Sequence, residues 1–184
     1  MDLKNLVTQA RTCRRFKGSR RLSADELAAF VDYARLSASA RNAQVLRYVL
    51  VSDPETRAAM DSLVVLGGAL TTDSQRPGGY IVIAGPENMD DFAMMDVGIA
   101  AQSINLAACE AGFATCMIGA VKKAEAAALV GLPEELKVKL VMAVGEADEV
   151  RRLVERRPDG KLIYYRDENG VHYVPKLKLE DVLL

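Results

Sequence analysis

The sequence predicts an α+β domain with several helices around a sheet of about four or five strands, and three observations carry that reading. Short runs of aliphatic and β-branched residues at 48–51, 80–84, 113–118 and 138–144 have the length and composition of strands. Between them lie segments whose apolar residues recur at helical spacing. With 184 residues, 50% of them hydrophobic, the chain can bury one sizeable core, so residues 1–184 read as a single domain.

Each element follows from local chemistry. Leu3, Leu6, Val7 and Ala10 share one helical face and open the chain with a short helix. An arginine-rich loop runs from 11 to 21. Ser23 and Glu26 form a capping box, in which each side chain satisfies a backbone N–H of the other, and start a helix carrying Leu27, Phe30, Val31 and Ala34. Residues 37–46 are small and polar, hence a loop or helix turn. Tyr48 to Val51 read as a buried strand, and Asp53-Pro54 begin the next helix. Gly67-Gly68 and residues 71–79 read as loop, and Tyr80 to Ala84 as a second buried strand. The longest helical pattern, 92–111, is closed by Gly112. It is apolar nearly all round, so it is expected at the centre of the domain or against a second subunit. Residues 113–118 and 138–144 are strands on either side of a short helix at 122–130. Beyond Gly145 the composition turns charged. Asn169-Gly170 signals a hairpin between 161–165 and 171–174, in a tail from about 150 to 184 that reads as an arm able to embrace a partner.

Charge and composition exclude several classes of function. Lysine plus arginine number 24 against 25 acidic residues, a net charge of -1, which gives no reason to expect nucleic acid or an anionic membrane as partner. The apolar segments read as too short or too interrupted to span a bilayer, and no secretory signal is seen, so a cytoplasmic location is expected. Three scattered cysteines and one histidine argue against a disulfide framework, a metal site or a histidine-based triad. Cys116 and Cys109 read as buried thiols and Cys13 as one that could be exposed. His172 reads as a surface or interface residue, Met89, Met94 and Met95 as packing, and Asp96 as the N-cap of the long helix.

Two clusters carry candidate chemistry. Arg11, Thr12 and Arg14 offer guanidinium and hydroxyl donors suited to phosphate, although a solvated basic loop has the same composition. Ser39, Asn42 and Gln44 place polar groups among small alanines, as an ordinary helix-to-strand connection also does.

Taken together, the order of motifs resembles the nitroreductase family of flavoproteins. Arg11-Thr12-x-Arg14-x-Phe16 is followed by Ser39-x-x-Asn42-x-Gln44, by Asp96 to Gln102, by Gly112 to Gly119 and by Val174-Pro175-Lys176-Leu177-Lys178, in the family's order and spacing over nearly the whole chain. The resemblance implies a mainly antiparallel central sheet flanked by helices, a C-terminal arm and a homodimer. It implies FMN as cofactor. Arg11, Thr12 and Arg14 would meet the phosphate and ribityl chain, with Lys176 and Lys178 returning to the phosphate. Ser39, Asn42 and Gln44 would lie against the flavin of the other subunit, and backbone groups of Ile118 and Gly119 at the polar edge of the ring.

The activity implied is two-electron transfer from NADH or NADPH to a small acceptor such as a nitroaromatic or quinone, with no catalytic side chain and no metal. Other flavin enzymes of this fold, such as a dehalogenase or a flavin-fragmenting enzyme, remain alternatives, as does a flavin-binding protein with negligible turnover. Val45-Leu46 stand where family members often carry Pro-Trp, Ala38 replaces a proline, and the segment 67–80 is short.

Overall fold

We describe the chain from a computed structural model, which covers residues 2–66 and 73–184. The loop expected at Gly67-Gly68 and the first residues of the one expected at 71–79 lie outside the described residues.

Four strands make the central sheet: β1 (Arg47–Val51), β2 (Gly79–Pro86), β3 (Ala114–Ile118) and β4 (Leu136–Gly145). They pair antiparallel throughout in the order β1-β2-β4-β3. Because side chains alternate across a strand, each face of this sheet has its own core. Ile81, Ile83, Met142 and Val144 face two helices, α2 (Ala24–Leu36) and α4 (Asp91–Glu110). Tyr80, Val82, Val141 and Ala143 face the opposite way, onto Phe16, onto Met60 of α3 (Pro54–Asp61) and onto Ala126 of α5 (Lys123–Leu129). The inner strand β2 is buried almost end to end. By contrast β1, expected to be buried, is an edge strand and mostly half-exposed.

The helix ends follow the expected local chemistry. Ser23 accepts from the Glu26 N–H at 3.2 Å, and Glu26 accepts from the Ser23 N–H at 2.9 Å. Asp53 accepts from the Thr56 N–H and Pro54 opens α3. Gly112, with φ of 85°, follows α4. The N-cap of α4 is Asp90, whose carboxylate accepts from the Ala93 N–H at 2.8 Å. The expectation for Asp96 is therefore corrected: it lies one and a half turns inside the helix and is buried.

At 20 residues α4 is long and apolar enough to match a bilayer on length and composition, contrary to expectation. In the fold it packs on α2 and the sheet. It is buried on one side only, for Phe92, Met94, Met95 and Ile99 are exposed, which also corrects the packing role expected of Met94 and Met95. The first helix, α1 (Leu3–Gln9), likewise buries none of its residues.

The charged tail folds into a second sheet of three strands: β5 (Arg151–Glu155), β6 (Tyr165–Arg166) and β7 (His172–Lys176), in the order β5-β7-β6. The expected hairpin is present as the antiparallel pair β6·β7, with Gly170 at φ 75° in its turn, but residues 161–164 are not part of it. The parallel partner β5 was not expected. This small sheet brings the end of the chain beside its beginning: the Arg151 guanidinium donates to the Arg11 carbonyl at 2.8 Å, and the Arg14 N–H donates to Glu149 at 2.6 Å.

Candidate functional site

That junction forms a cavity of about 250 Å³. Its walls come from the stretch after α1 (Arg11, Thr12, Arg14), from α4 (Gln102, Asn105), from β3 (Thr115, Met117) and from the tail (Tyr164, His172, Val174, Lys176). Residues 115 and 117 reach it because they point to the α4 side of β3, whereas Cys116 and Ile118 point into the other core.

The cavity gathers positive charge that the chain leaves largely unused. Arg14 stacks over the Tyr164 ring at 4.6 Å, and its buried Nε has no partner among the described residues. Arg11 donates to the Val7 carbonyl, yet its Nε is also buried and unpartnered among the described residues. Lys176, at the end of β7, is exposed and has no carboxylate partner among the described residues. Buried donors without acceptors cost free energy, so these groups suit an anion from outside the chain. A phosphate monoester, with three acceptor oxygens and about two negative charges, satisfies that donor set.

The backbone N–H of Arg14 is held by Glu149, whose side chain is 1% exposed. Burial pushes its carboxyl up, but the Arg14 N–H and the Arg166 guanidinium, 2.6 Å away, outweigh burial and hold it below its usual range. A second buried polar pair is Thr115, which donates to Asn105 Oδ1 at 2.7 Å.

The second cluster lies elsewhere. Residues 39–44 form a tight turn around the short helix Ala40–Asn42, with Arg41, Asn42 and Gln44 all at positive φ (55°, 53° and 47°). Such a backbone is unfavourable for these residues and persists only where its surroundings hold it. Asp96 holds it: its carboxylate accepts from the Ser39 hydroxyl at 3.0 Å and from the Ala40 N–H. Ser39 Oγ in turn accepts from the Gln44 N–H at 3.0 Å, and the Gln44 amide donates to Asn42 Oδ1 at 3.0 Å. Asn42 and Gln44 are left exposed. Ser39, Gln44 and Asp96 border a separate cavity of about 260 Å³ with Val45, Leu46 and Tyr48.

Of the residues singled out in the sequence, Arg11, Thr12, Arg14 and Lys176 therefore share one cavity. Lys178 does not: the chain bends into the short helix Leu179–Asp181, and Lys178 points to Glu180 at 3.9 Å. Ser39 and Gln44 belong to the other cavity. Ile118 and Gly119 line neither, although the space at the Gly119 Cα is open.

Two expectations are reversed. Cys13 is fully buried, and burial pushes its thiol up to about 12; Cys116, buried as expected, is pushed up to about 11. His172 is not at the surface but fully buried in the cavity wall. The sequence reading also missed Tyr164, Gln102 and Asn105. Gln102 and Asn105, polar residues in an apolar helix, carried a signal that could have found them.

Comparison with known proteins places this geometry. The model of the nitroreductase family matches residues 7–69 and 75–146. No curated protein matches the chain. Among solved structures, an FMN-dependent nitroreductase from Clostridium difficile R20291 aligns with a TM-score of 0.69 at 20% identity, covering 82% of this chain and 90% of that one. A nitroreductase family protein from Streptococcus pneumoniae TIGR4 aligns with a TM-score of 0.72 at 16% identity, covering 90% of this chain and all of its own. A structure from Exiguobacterium sibiricum 255-15 in complex with FMN gives a TM-score of 0.68 at 17% identity, covering 80% and 89%. At such identities the likeness establishes the fold.

Proposed function

Because the chain belongs to the nitroreductase family, we propose that residues 1–184 form one FMN-binding unit, with an arm from about 150. It works as a homodimer that passes two electrons from NADH or NADPH to a small acceptor such as a nitroaromatic or quinone. The observation that carries this reading is the convergence of Arg11, Thr12, Arg14 and Lys176, from opposite ends of the chain, on one cavity where the Nε atoms of Arg11 and Arg14 have no partner among the described residues.

In this reading Arg11, Arg14 and Lys176 bind the cofactor phosphate, and the Thr12 hydroxyl adds a hydrogen bond. FMN, when bound, supplies the two-electron redox chemistry, and the protein supplies binding, orientation and access. The cavity is smaller than the roughly 300–1,000 Å³ typical of cofactor sites, so one chain holds one end of the molecule. Ser39 and Gln44 border a different cavity of the same chain, and with the exposed Asn42 they would complete the site from the partner, with backbone groups of Ile118 and Gly119 at the ring edge. The exposed apolar flank of α4 supports an interface there.

No nucleophile or base is assigned, in keeping with the buried, high-pKa thiols. Steady-state rates of FMN-loaded protein with each nicotinamide and each acceptor class test the reaction. Donor and acceptor sharing one face give parallel double-reciprocal lines. Intersecting lines would contradict a shared site, and failure to oxidise either nicotinamide would reduce the protein to a flavin binder.

A further inference from the structure

His172 is the single histidine of the chain, and its placement is unusual. The ring is fully buried and forms part of the cavity wall beside Arg11, Arg14 and Lys176. Neither ring nitrogen has a hydrogen-bond partner among the described residues. Glu149 Oε2 stands 3.9 Å from Nδ1, too far for a hydrogen bond. Tyr164, just before β6, packs edge-on against the ring at 5.1 Å. The charged groups around it are Glu149 on the β4–β5 connection, Arg14 after α1, Arg151 on β5 and Arg166 on β6. Burial, and after it the Arg166 charge, push the imidazole below its ordinary pKa; Glu149 opposes them, and Arg14 and Arg151 add to the lowering. Burial and three arginines thus disfavour protonation of a ring whose two nitrogens have no hydrogen-bond partner among the described residues.

We infer that His172 is a further anion-binding group of this cavity, one that takes up a proton when a phosphate dianion enters. The inference rests on the reading of the cavity as a phosphate site. A dianion among Arg11, Arg14 and Lys176 offsets part of the positive field that opposes protonation of the ring. Once protonated, both ring nitrogens are donors. Nδ1–H then faces Glu149 at 3.9 Å, and Nε2–H is a donor without a partner among the described residues.

The sign follows from linkage. The ligand-free pKa lies below the ordinary value, and the bound anion raises it. Between those two values binding takes up a proton, so affinity for the anion rises as pH falls through that interval. Below about pH 6 the phosphate itself loses charge, so the effect is read above that point.

A chain with one histidine permits a direct test, the NMR titration of a labelled imidazole in the wild-type protein. Saturating FMN should raise its pKa by about one pH unit or more, which corresponds to about tenfold coupling between proton and ligand. Inorganic phosphate should shift it the same way, and riboflavin should leave it unchanged. The H172Q protein should bind riboflavin normally and lose the rise in FMN affinity that the wild type shows as pH falls from the bound-state pKa towards about 6. FMN that binds without moving the titration would overturn the inference and leave the proposed function standing. A shift produced by inorganic phosphate in a protein that ignores FMN would uphold the inference and overturn the cofactor. If neither ligand binds, both fail.

Discussion

Lys176 and Lys178 are two residues apart and read alike in the sequence, yet the structure separates them. Lys176 is the last residue of β7 and lines the cavity, while Lys178 precedes the short helix that turns the chain away. A charge-assisted hydrogen bond contributes about 1.5–3 kcal/mol. Lys176→Ala should therefore weaken FMN binding by roughly ten- to a hundredfold and leave riboflavin, which has no phosphate, near wild type. Lys178→Ala, and Lys123→Ala on the exposed start of α5, should change neither affinity. Equal losses for both flavins in the Lys176 variant would assign that lysine to the fold instead. The arginines and Lys176 were legible because a motif fixes their spacing. His172 was not: it is an isolated residue in a polar hairpin, and its burial depends on Arg14, Glu149 and Tyr164, which reach it from three other segments.

The same contrast between local and distant causes governs the elements. The capping box at Ser23 was readable because both partners lie within three residues of each other. The turn at 39–44 was readable as a turn, but the group that fixes it, Asp96, sits 57 residues beyond Ser39 and could be assigned only once α4 was placed on α2. Removing that carboxylate leaves the Ser39 hydroxyl and the Ala40 N–H without their acceptor. Asp96→Ala should therefore cost about 1–3 kcal/mol in stability by urea unfolding. An unchanged midpoint would mean that the turn holds its positive φ values unaided. The strand β5 escaped notice for a similar reason. Its sequence, Arg151 to Glu155, is half charged and lacks a buried face, and it is a strand because β7 runs parallel beside it.

At the scale of the molecule, the four-stranded sheet and its two cores are what continuous apolar strands, buried on both faces, dictate, and the small second sheet places the end of the chain beside its beginning. The sequence also called for α4 to be buried on most sides. One chain satisfies that on a single flank and leaves Phe92, Met94, Met95 and Ile99 in the open. The expectation makes physical sense if a second copy covers them.

The account stands on the identity of the anion in that cavity, and titration of flavin-free wild-type protein with FMN and with riboflavin tests it most directly. Three cations and a hydroxyl directed at a phosphate predict FMN affinity at least about tenfold tighter than riboflavin affinity. Equal affinity for the two flavins, or no binding of FMN, would contradict it.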